Sequence, residues 1–193
     1  MYNEHQQQIS AYALRKPDQF ADVLRFVILT IRQQLTNAVD QARGESELNA
    51  FGFKLKALAE IDRDHEKIFN DCNMLYDIGD FAGVLERLTR VHGLGLVKAG
   101  FVCQLVYGFG GCIDSHNLSI YNISVGEVRM TASKNHNTRL AKCKAYLELC
   151  EKLGGSEKLW DDWCKHVARE QPYLYNSGYE VSELHIVGIC KGY

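Results

Sequence analysis

The sequence predicts an all-α fold, a helical bundle containing a glycine-linked pair of helices. Three observations carry that expectation. Apolar residues recur at helical spacing in one stretch after another, glycines close several of those stretches, and Asp or Ser stands where several begin. At 193 residues the chain is long enough for one domain with a proper core, spanning residues 1–193.

Residues 1–15 are polar and read as a loose lead-in. Lys16-Pro17-Asp18 opens a helix, with proline suited to its first turn. Phe20, Val23, Leu24, Val27, Ile28, Ile31 and Leu35 give that helix a broad apolar face, so it is expected to be central and buried. Gly44-Glu45-Ser46 is a break. Phe51, Phe53, Leu55, Leu58 and Ile61 then start a second long helix that continues through Ile68.

Asp80 suits the N-cap of a helix on Phe81, Val84, Leu85, Leu88 and Val91, which stops at His92-Gly93. Val97, Phe101, Val102 and Leu105 carry the next helix, closed by Gly108-Phe109-Gly110-Gly111. Leu94 is expected to point inward between the two. The linking glycines leave the amides of Gly93, Gly95 and Leu96 open at a helix start, where an anion can sit. Asp114 then opens a run on Leu118 and Tyr121 that is expected to reach Val125-Gly126. Leu140, Cys143, Leu147 and Cys150 predict a helix over 138–153, closed by Gly154-Gly155. Ser156 is expected to cap a last long helix with Leu159, Trp160, Trp163 and Val167 inward, the tryptophans as core. The tail, through Val181 to Val187, reads as a final short helix.

Residues 80–125 resemble the helix-hairpin-helix DNA glycosylase superfamily. The hairpin pattern is Val91-His92-Gly93-Leu94-Gly95, the small residue in the following helix is Ala99, and the acidic residue a helix and a loop later is Ile113-Asp114-Ser115-His116. The resemblance implies DNA as the partner and Asp114 as the catalytic carboxylate. It further implies a DNA-contacting set of Gly93, Gly95, Leu96, Lys98, His116 and, at the end of the long N-terminal helix, Gln33 and Gln34 entering the base stack. Members that also cut the strand carry a lysine where this chain has Val97. Lys98 is one residue on, turned by roughly 100° on a helix, so no Schiff-base lyase step is expected. Ser119 stands where an arginine is common in the family.

Three functions follow as expectations. The first is a monofunctional glycosylase-like enzyme that flips a base and uses Asp114 at the sugar. The second keeps the fold but transfers a group to an activated base, as implied by viral relatives concerned with thymine hypermodification in phage DNA. The third is a DNA-binding module without chemistry.

Composition bounds these readings. Hydrophobic residues make up 46% and charged residues 24%, ordinary for a globular protein. No apolar run approaches a membrane span and the first residues are too polar for a signal peptide, so a place in the host-cell cytosol is expected. The seven cysteines contain no Cys-x-x-Cys pair and read as reduced core residues, with no iron–sulfur cluster, zinc or other cofactor. A net charge of -2 argues against purely electrostatic DNA binding. Arg129, Lys134, His136, Arg139, Lys142, Lys144 and Lys152 nevertheless crowd one stretch, where a local basic face or a solvated helix are both compatible with the pattern.

Overall fold

A computed structural model describes residues 2–32, 38, 41, 47–48 and 52–170, with side chains to residue 166. Every element among them is helical: α1 Tyr2–Ala13, α2 Pro17–Leu29, α3 Phe53–Asp77, α4 Phe81–Leu88, α5 Leu96–Val102, α6 Ser115–Tyr121, α7 Val125–Val128, α8 His136–Lys152 and α9 Gly155–Glu170. No described helix is long and apolar enough to cross a membrane. Gln33, Gln34, the Gly44 break and the tail beyond Glu170 lie outside the described residues.

The centre is α2, as its apolar face predicts. Phe20, Val23, Leu24, Val27 and Ile28 are all fully buried, and the helix packs on α1, α3 and α5. It is shorter than expected. Its last residue is Leu29, the Thr30 hydroxyl folds back onto the Val27 carbonyl at 2.7 Å, and Arg32 takes a left-handed φ of 55°. The buried Lys54 ammonium donates to the Leu29 carbonyl at 3.0 Å, satisfying a free acceptor where the helix dipole favours a cation.

The expected loose lead-in is instead α1. Tyr2, Ile9 and Ala13 form a narrow buried stripe, and the Tyr2 hydroxyl donates to the Gln104 carbonyl at 2.8 Å. Three residues on one face among glutamines give little sequence periodicity, yet they are enough to dock a helix on a groove that the rest of the bundle provides.

Two residues assigned to buried faces are exposed. On α3 the inward stripe is Lys54, Ala57, Ile61, Ile68 and Cys72, which turns Leu55 outward to 50% exposure. On α4, Phe81 is 43% exposed and stacks on Phe109 at 4.8 Å, while Val84, Leu85 and Leu88 are buried. Asp80 caps α4, its carboxylate accepting from the Gly83 amide at 3.0 Å.

A π-helical turn, Cys103–Tyr107, continues α5 and ends at Gly108 with φ 73°. The extra residue in that turn sets Gln104 facing inward, 1% exposed, where it joins three segments. Its carbonyl takes the Tyr2 hydroxyl, its amide group donates to Ser156 O at 2.8 Å, and its side-chain oxygen accepts from Cys112 N at 3.1 Å. Ser156 is not the cap of α9. It lies in the first turn and its hydroxyl donates to the Gly110 carbonyl at 2.8 Å. The helix begins one residue earlier because Gly154 and Gly155, at φ 104° and 78°, turn the chain directly into it.

Candidate functional site

The chain turns between α4 and α5 at Gly93, with φ 82°. A Cβ there would also lie 3.3 Å from Ile28 Cδ1, so both backbone and packing favour glycine. Leu94 is buried as expected and its amide closes a turn onto Val91 O at 3.0 Å. No acceptor among the described residues takes the amides of Gly93, Gly95 or Leu96. His92 N donates to the Glu60 carboxylate at 3.1 Å, which ties the turn to α3.

The Gly108–Ile113 loop delivers Asp114 to the start of α6, and α5 presses against it at Gly100. A Cβ on Gly100 would collide with the Gly111 carbonyl and sit 2.8 Å from Tyr146 Cε1, so this contact requires glycine. The buried Tyr146 hydroxyl, on α8, donates to Gly111 O at 2.8 Å and accepts from Ile113 N at 3.3 Å. Asn117 Nδ2 reaches back to Cys112 O at 2.7 Å. These bonds, with those of Gln104, leave the loop little freedom.

Asp114 has an extended backbone and caps α6. One carboxylate oxygen accepts from His116 N at 3.0 Å and Asn117 N at 3.3 Å, and the other from the Trp163 indole N–H at 3.0 Å. The carboxylate is thus held by both its own helix and α9. It also lines a cavity of about 410 Å³ with Gly95, Leu96, Val97, Ile113, Ser115, Leu118, Val125, Val128, Arg129 and Met130. Apart from Asp114 and Arg129, its side-chain walls are almost wholly apolar. The expected helix from Asp114 to Val125 breaks at Asn122, with φ 51°, and the separate turn α7 folds over to form one side of this cavity. A capping box, in which Ser124 and Glu127 bond each other's backbone, makes that second start.

The sequence-predicted residues divide accordingly. Gly95, Leu96 and Asp114 meet at the cavity, whereas Gly93, Lys98 and His116 do not line it. Lys98 Nζ donates to Thr30 Oγ1 at 3.1 Å and lies over the Phe101 ring. His116 packs edge-on to Trp163 and near His166, ring centroids 6.1 and 5.3 Å away. Helical spacing places Trp163 inward but does not reveal its polar contact. Trp163 shares the inward face of α9 with buried Leu159 and Trp160, but its indole nitrogen reaches Asp114, a contact between residues far apart in sequence.

The basic stretch is partly consumed inside the protein. Arg139 Nε bonds the buried Glu86 carboxylate at 2.8 Å, and Lys142 Nζ takes the carbonyls of Gly126 and Glu127 at 3.2 and 2.9 Å. Burial works to raise the Glu86 carboxyl, but hydrogen bonds from Arg90 and Arg139 outweigh it and hold the group below the ordinary glutamate range. Cys72, Cys143, Cys150, Cys112 and Cys164 are pushed up to about 12, chiefly by burial, which makes them poor nucleophiles and poor metal ligands as they stand. No group of His, Cys, Asp or Glu among the described residues is arranged to hold a metal ion. No protein-family model, curated protein or solved structure matches the chain.

Proposed function

We propose that the protein is a glycosylase-like enzyme that processes a base in DNA, with Asp114 as its catalytic carboxylate. The observation that supports this best is a carboxylate fixed by three donors in a largely apolar cavity next to a glycine turn with open amides. The cavity volume lies in the range of small-ligand sites, and apolar walls suit the faces of a base.

In the proposed reaction the turn steadies a backbone phosphate while one nucleotide leaves the stack. As the bond from sugar to base breaks, its electron pair leaves with the base and positive charge builds on the sugar. The Asp114 carboxylate stabilises that charge and orients a water whose oxygen forms the new bond to the sugar carbon, while the water's proton passes by way of the carboxylate to the departing base. Displacing solvent from the apolar walls strengthens the electrostatic effect. Val97 presents no amine to the cavity, and Lys98 is engaged with Thr30, so water is the nucleophile rather than a lysine.

The test is incubation with DNA duplexes carrying single damaged, mismatched or modified bases. Release of free base with an abasic site is the expected result. A heavier intact nucleotide would reassign the same site to group transfer, and DNA binding without any product, unaffected by Asp114→Asn, would leave only a binding module.

A further inference from the structure

The cavity beside Asp114 carries a second charge whose purpose the fold does not account for. Arg129 follows the last residue of α7, in extended backbone, and its side chain is exposed at the cavity wall. Among the described residues it makes no hydrogen bond or ion pair. The local tasks for a cation are already filled: Lys142 neutralises the carbonyls at the end of α7, and the nearest carboxylate on its own turn, Glu127, is bonded to Ser124 N. Asp114 does not hold it either, since that carboxylate accepts from two backbone amides and Trp163.

We propose that Arg129 is a phosphate-binding residue, so that the cavity receives a whole nucleotide unit: base against the apolar walls, sugar beside Asp114, phosphate on the guanidinium. This rests on the base-processing reading and names the substrate group that the site recognises. Leu96, Leu118, Val125 and Met130 supply apolar surface for the base, and the cavity places only two charges, one of each sign, on its lining. A guanidinium presents parallel N–H groups that match two phosphate oxygens at once, which a lysine does not.

The experiment compares wild type, Arg129→Ala and Arg129→Lys, each checked for unchanged helicity by circular dichroism. One arm measures binding of thymidine 5′-monophosphate against thymidine. The other uses a duplex with a central T·G mismatch whose adjacent phosphate is either native or a neutral methylphosphonate. Wild type is expected to prefer the charged member of at least one pair by about tenfold. Arg129→Ala should lose that preference, with Arg129→Lys between them, and its dependence of DNA affinity on salt should fall by about one phosphate. Discrimination confined to the monophosphate places the phosphate on a free nucleotide. Discrimination confined to the duplex places it on the strand. Binding of the monophosphate through Arg129 with no DNA affinity keeps this assignment and removes the DNA reading. An Arg129→Ala protein that still prefers the charged member, or a wild type with no preference in either arm, overturns the proposal.

Discussion

Asp114 combines two tasks, and substitution can separate them. Asparagine also accepts hydrogen bonds at a helix start, so Asp114→Asn should keep α6, but its amide nitrogen then faces the Trp163 indole N–H, and stability should fall by about 1–2 kcal/mol. Its loss of negative charge should lower turnover by about 100-fold or more. Thermal melts and product assays on the same preparation give both numbers, and a variant as active as wild type would remove Asp114 from the chemistry. Trp163 is a positioning residue under this reading. Trp163→Phe keeps a ring on α9 but deletes the donor at 3.0 Å, which should cost about 1 kcal/mol of stability. If the indole orients the carboxylate, kcat should fall while KM changes little. A proportional change in both, following only the melting temperature, would mark Trp163 as packing.

At the scale of elements, the strongest correction is α1. Its anchoring residue is Ile9, fully buried, with Tyr2 bonded to Gln104 at one end and Ala13 packed at the other. Ile9→Ala should therefore destabilise the protein by about 2–4 kcal/mol, read from the midpoint of urea unfolding. A change within about 0.5 kcal/mol would show that α1 is only lightly docked. Because Gln104 also bonds Cys112 N and Ser156 O, α1 stands behind the loop that delivers Asp114, and the same variant is expected to lose activity before it unfolds.

For the molecule as a whole, Glu86 links α4 to α8 through a carboxylate with a side chain only 4% exposed, bonded by Arg90 and Arg139. Its folded-state pKa is held below the ordinary value, so its stabilisation is complete above that value and is lost as pH falls through the folded one. Stability should therefore drop on acidification below about pH 4.5, and Glu86→Gln should flatten that part of the curve. At neutral pH the same substitution should cost about 1–3 kcal/mol, since Arg139 is largely buried but Arg90 is half exposed. Urea midpoints taken across the acid range decide the matter, and parallel curves for the two proteins would assign the acid sensitivity elsewhere.

The all-helical class and the position of most helices could be read directly from sequence, because apolar spacing and local caps such as Asp80 act within a few residues of chain. The same local chemistry marked the Gly93 turn and the Asp114 helix start. Local pattern was misleading where the deciding partner is distant. The face of α1 depends on a groove from the π-helical turn, Leu55 is exposed by the way α3 rotates onto α2, and Ser156 serves a loop rather than its own helix. The cavity is likewise a product of tertiary structure: residues of α7 and Arg129 line it together with Asp114, and Trp163 reaches that carboxylate from α9. Spacing along a chain encodes which residues share a helix face, whereas a cavity requires several faces to meet, and only the packed bundle settles that.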